Sequence, residues 1–359
     1  MQLGFFNMPL HPPGSDLAQT LADDLAQLVE LDRLGYVEAW IGEHFTSEWE
    51  NIPAPDLLIA QALGVTERIK LGTGVTNIPN HNPFFLAHRI AQLDQMSRGR
   101  LLWGIGSGGF IGDFRVAGID PAMGEHREMT RKAVDLILDL WKDPEPGPYE
   151  HPRWHYNVPA PDDEIGLRVH VRPYQRPHPP IAMAGISVNS DTLEFAGERG
   201  YIPMSINFAP TRVLATHWES VAGGAAKTGR TADRADWRIA RDIFVADTTK
   251  EARKQAMGGV LARDFDRYFR KLIPKGRGMG ILKQDPDMAD ADVTSEYMMD
   301  NVWVVGSREE VAEKLAKLND DMGGFGVLLA MGHEWEPRGP WTESMGMLIQ
   351  DVMPKLSHA

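Results

Sequence analysis

The chain has 359 residues, of which 43% are hydrophobic, and a formal net charge of −13 with histidines neutral. That hydrophobic share is ample for a large core, while the negative charge argues against nucleic acid or an anionic membrane as a partner, because phosphates would be repelled. Cysteine is absent, which excludes disulfides, thiolate metal sites and cysteine nucleophiles.

Residues 2–6 are strand-like, with no basic and then apolar leader, so a cytoplasmic location is expected. No run reaches the roughly 18 apolar residues of a membrane span. A helix over 15–34 carries leucines at 21, 25, 28 and 31 and stops at Gly35. Strand two, 37–42, runs into Glu43-His44. A helix over 56–66 precedes strand three, 69–75. The next helix has Asn82 as N-cap, Pro83 in its first turn and Gly99 after its last, with Leu86, Ile90 and Leu93 on one buried stripe. Strand four, 101–105, follows, so strands three and four are expected to be parallel through a right-handed crossover.

After a helix over 125–141, residues 143–178 lose all period. They read as an excursion, with a β-ribbon as its candidate form, rather than as a domain. Strand five (181–184), a helix (191–199), strand six (201–206), a helix (210–228) and strand seven (237–246) come next. Residues 264–300 form a second excursion, with few apolar residues before Tyr297, and are the candidate active-site lid. Residues 301–305 read as extended, and Ser307 caps a helix to 318 with Glu310 completing the box. Strand eight (325–330) and a helix over 341–352 end the chain. Eight βα units without a switch in order fit a single (β/α)8 TIM barrel over 1–359, with insertions after helix four and after strand seven.

In such a barrel the site lies at the C-terminal strand ends. There the sequence places Glu43 and His44, then Gly74, Val75 and Asn77, then Gly106 and Ser107. His44 can be a structural histidine at the barrel mouth or a general acid/base, and Glu43 can orient it or be a surface acid. Ser187, Asn189 and Ser190 precede a helix, where hydroxyls and free N–H groups make either an anion site or an ordinary N-cap. His81 and His333-Glu334 are further candidates for contact with a ligand. Phe6, Met8, Phe110 and Phe208, with Trp49 and Trp335, are candidates for an apolar pocket. Asp113 and Arg115 read as a structural ion pair. The histidines are scattered and no HExxH occurs, so no metal is expected.

The stretch LDQMSRGRLLWGIGSGGFIGDFRVAGID resembles the matching segment of the bacterial luciferase-like flavin monooxygenases, and Glu43-His44-Phe45 stands where that family carries its EH pair. The resemblance runs from LGFF to VMPKL. Through NMPLHPP, EHF, WENIP and DNVWVVGS it is nearest to limonene and diketocamphane monooxygenase-like members. It implies the TIM barrel, FMN supplied as FMNH2 by a separate flavin reductase, and O2 as co-substrate. It implies oxygen insertion into a small apolar, cyclic or terpenoid substrate through a flavin C4a-(hydro)peroxide. It places His44 beside the flavin's reactive edge, the phosphate near Ser187, Asn189 and Ser190, and a cis peptide at Gly74-Val75 under the ring. Ser107 stands where relatives carry a phosphate-gripping arginine, so that charge has to come from elsewhere. A homodimer through helices two and three is implied as well. The alternatives are an F420-dependent hydride-transfer enzyme of the same fold and a non-catalytic flavin-binding barrel, against which the intact EH pair weighs.

Overall fold

The computed structural model describes residues 1–8, 10–276 and 278–356. Pro9 of NMPLHPP, Arg277 of the second excursion and the last three residues of the 1–359 domain lie outside the described residues.

Among the described residues twelve strands form: β1 Gln2–Asn7, β2 Glu38–Ile41, β3 Lys70–Asn77, β4 Leu101–Gly106, β5 Gly147–His151, β6 Trp154–Val158, β7 Ile181–Gly185, β8 Ile202–Ser205, β9 Arg238–Arg241, β10 Ile243–Ala246, β11 Val304–Ser307 and β12 Val327–Gly332. Eight of them close a parallel barrel in the order β1-β12-β9-β8-β7-β4-β3-β2. Alternate side chains fill it, as the two-residue period of a strand requires: Phe6, Trp40, Leu102, Met204, Leu329 and Met331 make the interior cluster. Toward the strands' N-terminal ends Glu38 is buried, where it accepts from Trp40 Nε1 and pairs with Arg238 at 3.1 Å. Outside the barrel, apolar helix faces such as Leu86, Ile90 and Leu93 of Pro83–Ser97 pack the main core.

The excursion over 143–178 contains the expected ribbon, with β5 antiparallel to β6. Two expectations need correction. The predicted seventh strand, 237–246, is two strands broken at Asp242. β9 stays in the barrel, while β10 leaves it to pair with β11. Asp242 forces the break, because its side chain turns to bind Asn207 Nδ2 and His333 Nε2, both at 2.8 Å. The segment 264–300, read as an excursion with few apolar residues, opens instead as an apolar helical stretch. It starts in a π-helical turn, Phe265–Phe269, continues as the helix Arg270–Gly276, and buries Phe265, Tyr268, Phe269 and Ile273. Their 3–4 spacing is helical, but Pro274 and the glycines after it hide the pattern in sequence.

The helix Asp191–Arg199 is held unusually close to its neighbour Thr211–Lys227. A Cβ built on Gly197 would stand 2.1 Å from the Val221 carbonyl oxygen, and one on Gly224 1.9 Å from that of Glu194. Gly224→Ala is therefore expected to destabilise the protein by about 1–3 kcal/mol, the usual range for overpacking. Urea unfolding would show it, and an unchanged midpoint would mean that this crossing tolerates separation.

Candidate active site

The C-terminal ends of the barrel strands surround a cavity of about 450 Å³. Its floor lies where the β3–β4 pairing slips: Thr73 pairs with Trp103, and pairing resumes only at Thr76 with Ile105. Gly74 and Val75 fall in that gap, on a cis peptide bond, and both line the cavity. Gly106 permits this, since a Cβ there would stand 2.4 Å from Val75 Cγ2.

His44 stands on the cavity wall with its side chain 20% exposed. Its Nδ1 lies 3.0 Å from Asp113 Oδ2 and its Nε2 3.1 Å from Glu50 Oε2. Carboxylates at both ring nitrogens require two N–H donors, which is the imidazolium form. Burial works against that charge, but Glu50 and Asp113 outweigh it and hold the imidazole up at about 10. Asp113 also accepts from the Thr46 hydroxyl and from the backbone N–H groups of Phe45 and Thr46. Despite the cost of its burial, these partners and His44 hold its carboxyl below the usual range.

The expected Asp113–Arg115 pair is thus corrected: Asp113 turns inward to His44, and Arg115 is left exposed. The two readings of Glu43, as an orienter of His44 or a surface acid, are corrected too. Glu43 is buried, accepts from Asn77 N at 3.0 Å and meets His81 Nε2 at 3.0 Å, so it ties the end of β2 to that of β3. It still borders the cavity, and so does Asn77, whose Nδ2 donates to the Glu43 carbonyl.

Phe6, Met8, Phe110 and Phe208 line the apolar side of the cavity as expected. His81 is spent on Glu43 and lies outside the lining. His333 is fully enclosed between Asp242 and Asp264, at 2.8 and 2.9 Å, and does not reach the cavity. Glu334 pairs with Arg263 and faces His11. Trp335 packs edge-on against Phe5, and Trp49 stacks on Tyr268, so neither belongs to the lining. Each of these polar groups found a protein partner closer than the cavity, which sequence position alone does not reveal.

At the other end of the cavity are Ser107, Ser187, Asn189 and Ser190. Ser190 caps Asp191–Arg199 by accepting from Leu193 N, and Asn189 takes the left-handed backbone region at φ 51°. His217, which sequence reading passed over, holds this loop. Burial pushes its imidazole down to about 4, so it is neutral, and its Nε2 donates to the Ser187 carbonyl at 3.0 Å. Its Nδ1 accepts from Ser205, whose oxygen accepts from Trp237 Nε1. Arg127 lines the same end, paired with Asp191 at 2.6 Å. Arg127 thus brings a guanidinium to this end of the cavity, with its charge shared with Asp191.

Glu50 was missed as well, although it stands in WENIP, one of the stretches that carried the resemblance. The other side of the cavity is walled by Phe269, Leu272, Ile273, Lys275 and Gly276 of the second excursion. Among the described residues no group of three or more histidines and carboxylates is placed to hold a metal ion, and no helix is long and apolar enough to cross a membrane.

The family model for luciferase-like monooxygenases matches residues 1–324. The chain belongs to that family. Among luciferase-like monooxygenases it is 33% identical to 3,6-diketocamphane 1,6-monooxygenase of Pseudomonas putida, over 99% of this chain and 98% of that one. It is 30% identical to limonene 1,2-monooxygenase of Rhodococcus erythropolis, over 99% and 86%. The oxygenating constituent of 3,6-diketocamphane monooxygenase from Pseudomonas putida, a type II Baeyer–Villiger enzyme solved in complex with FMN, superposes with a TM-score of 0.91 at 32% identity, covering 99% of this chain and 98% of that one. This luciferase-like monooxygenase thus has the barrel expected of it, with the EH pair at the end of β2.

Proposed function

We propose that this protein is the oxygenating component of a two-component system. It takes reduced FMN from a separate flavin reductase and inserts one atom of O2 beside the carbonyl of a small cyclic, terpenoid-like ketone. The observation that carries the reading is His44, on the wall of an aromatic cavity with both nitrogens committed to carboxylates. A histidine held this way gives up no proton to a group in the cavity. That favours nucleophilic oxygen insertion at a carbonyl over electrophilic transfer to an alkene. The similarity to diketocamphane monooxygenases points the same way.

The residues present suit FMN. Gly106 and the Gly74-Val75 peptide offer a flat floor, while Arg127, Ser187, Asn189 and Ser190 at a helix N-terminus offer donors and charge for a phosphate. When bound, the reduced flavin would supply the electrons that activate O2. Phe6, Met8, Phe110 and Phe208 would hold an apolar substrate and exclude water. Residues 264–300 would act as the lid. A homodimer through Pro55–Leu63 and Pro83–Ser97 belongs to the same reading, since Leu57 and Phe85 on those helices are 68% and 66% exposed. A cytoplasmic location, where reduced flavin is made, completes it.

The test is turnover of bicyclic and monocyclic terpenoid ketones, with limonene as the alkene comparison, under 18O2 with a flavin reductase. A lactone carrying one labelled atom is expected. Labelled epoxide without lactone would replace the Baeyer–Villiger reading. Reduction of ketone without oxygen uptake, alongside F420 binding, would replace the monooxygenase one.

A further inference from the structure

The contacts of His44 extend to the roof of the cavity. Glu50 is 1% exposed, and its two oxygens face different ways. Oε2 points at His44 Nε2 and accepts no well-aligned hydrogen bond. Oε1 accepts from the hydroxyl of Tyr268, in the π-helical turn Phe265–Phe269. The same hydroxyl lies 2.9 Å from Ser47 Oγ, and the Tyr268 ring stacks on Trp49 at 5.4 Å. Burial, and then the negative charge of Glu50, push the Tyr268 phenol far up, so it is a donor throughout the working range. Other groups around His44 are accounted for. Asp113 holds Nδ1, the Phe110 ring lies 4.9 Å away, and Glu43 is turned to His81 and Asn77.

His44 Nε2 therefore faces Glu50 Oε2 at ion-pair distance, where either atom can carry the proton, and the far oxygen of that carboxylate is bonded from the roof. A donor to Oε1 satisfies part of the carboxylate's charge and makes it a weaker claimant for the proton. Without that donor the Nε2–H bond breaks, an O–H bond forms on Glu50, and a buried ion pair becomes a neutral pair.

We propose that Tyr268 is a positioning residue for His44: by donating to Glu50 from the roof, it keeps the shared proton on the imidazole while the roof is in place. The charge beside the cavity then depends on whether the 265–276 helix covers it. An open roof leaves His44 neutral, and a closed roof makes it a cation between two buried carboxylates, of which it neutralises one. The consequence for catalysis rests on the monooxygenase reading, but the position of the proton does not.

The experiment is 15N-histidine NMR on the flavin-free protein, with wild type, Tyr268→Phe and Glu50→Gln, each checked for an unchanged melting curve. The His44 signal, assigned from its loss in His44→Gln, is expected to be imidazolium in the wild type up to about pH 9 or above. Tyr268→Phe is expected to convert it at neutral pH to a neutral ring with its proton on Nδ1. Glu50→Gln is expected to lower the pH of titration by at least a factor of ten in proton affinity. An imidazolium unchanged in Tyr268→Phe would overturn the proposal, as would a neutral His44 in the wild type. If Tyr268→Phe melts early, Tyr268→Leu at reduced temperature gives the same readout, since it also removes the donor. None of these outcomes depends on flavin or substrate, so failure here leaves the proposed function standing, and failure of turnover leaves this proposal standing.

Discussion

Replacing His44 with alanine is expected to reduce product formation about 100-fold or more, the scale on which a preorganised charge or donor beside the reacting atoms contributes. The effect should also separate the two states of the cofactor. His44 neutralises one of two carboxylates at the cavity wall, Glu50 and Asp113. Without it those charges face the site uncompensated, and like charges in a partly desolvated space repel. Reduced FMN, which carries an additional negative charge near neutral pH, should therefore lose more affinity than oxidised FMN. Equilibrium titration of both forms, with product counted per reduced flavin oxidised, measures the two effects. Unchanged coupling of flavin oxidation to product would remove His44 from the chemistry.

Removing His333 should cost stability rather than activity. It is 4% exposed and meets Asp242 and Asp264, themselves 2% and 0% exposed. Taking away one member of such a buried set leaves unpaired charge and typically costs about 3–5 kcal/mol. The wild type should carry the same interaction as a pH dependence. Burial pulls the His333 imidazole down, but the two aspartates prevail and raise it from 6.5 to about 9. A group whose folded value stands above its unfolded one stabilises the fold fully below the unfolded value. That contribution is lost as pH rises through the folded one. Stability should therefore fall between about pH 6.5 and 9, by at most roughly 3 kcal/mol from this residue. His11 and His44 are raised in the same direction, so His333→Ala should flatten the slope without abolishing it. Urea midpoints at three pH values would decide. A wild type equally stable across that window would mean that His333 is neutral.

Because Asp264 begins the segment that covers the cavity and Arg263 beside it pairs with Glu334, this network also seats the roof. His333 thus holds the start of that segment through Asp264 without lining the cavity.

Local pattern determined much of this protein. Apolar runs alternating with 3–4 periodic helices can bury themselves only as repeated βα units, so the barrel, its strand ends and the helix N-terminus at Ser190 were legible. So were Gly74, Val75, Gly106 and the aromatic residues Phe6, Phe110 and Phe208, because their strand and loop positions send them to the mouth. What the tertiary structure decided was partnership. Asp113 is 69 residues from His44, and Tyr268 is 218 from Glu50. No period or spacing encodes which carboxylate a histidine will meet across separate loops. Burial and partners then set the charges: His217 is driven neutral for want of a carboxylate, whereas His44 and His333 are made cations by the two that each acquires.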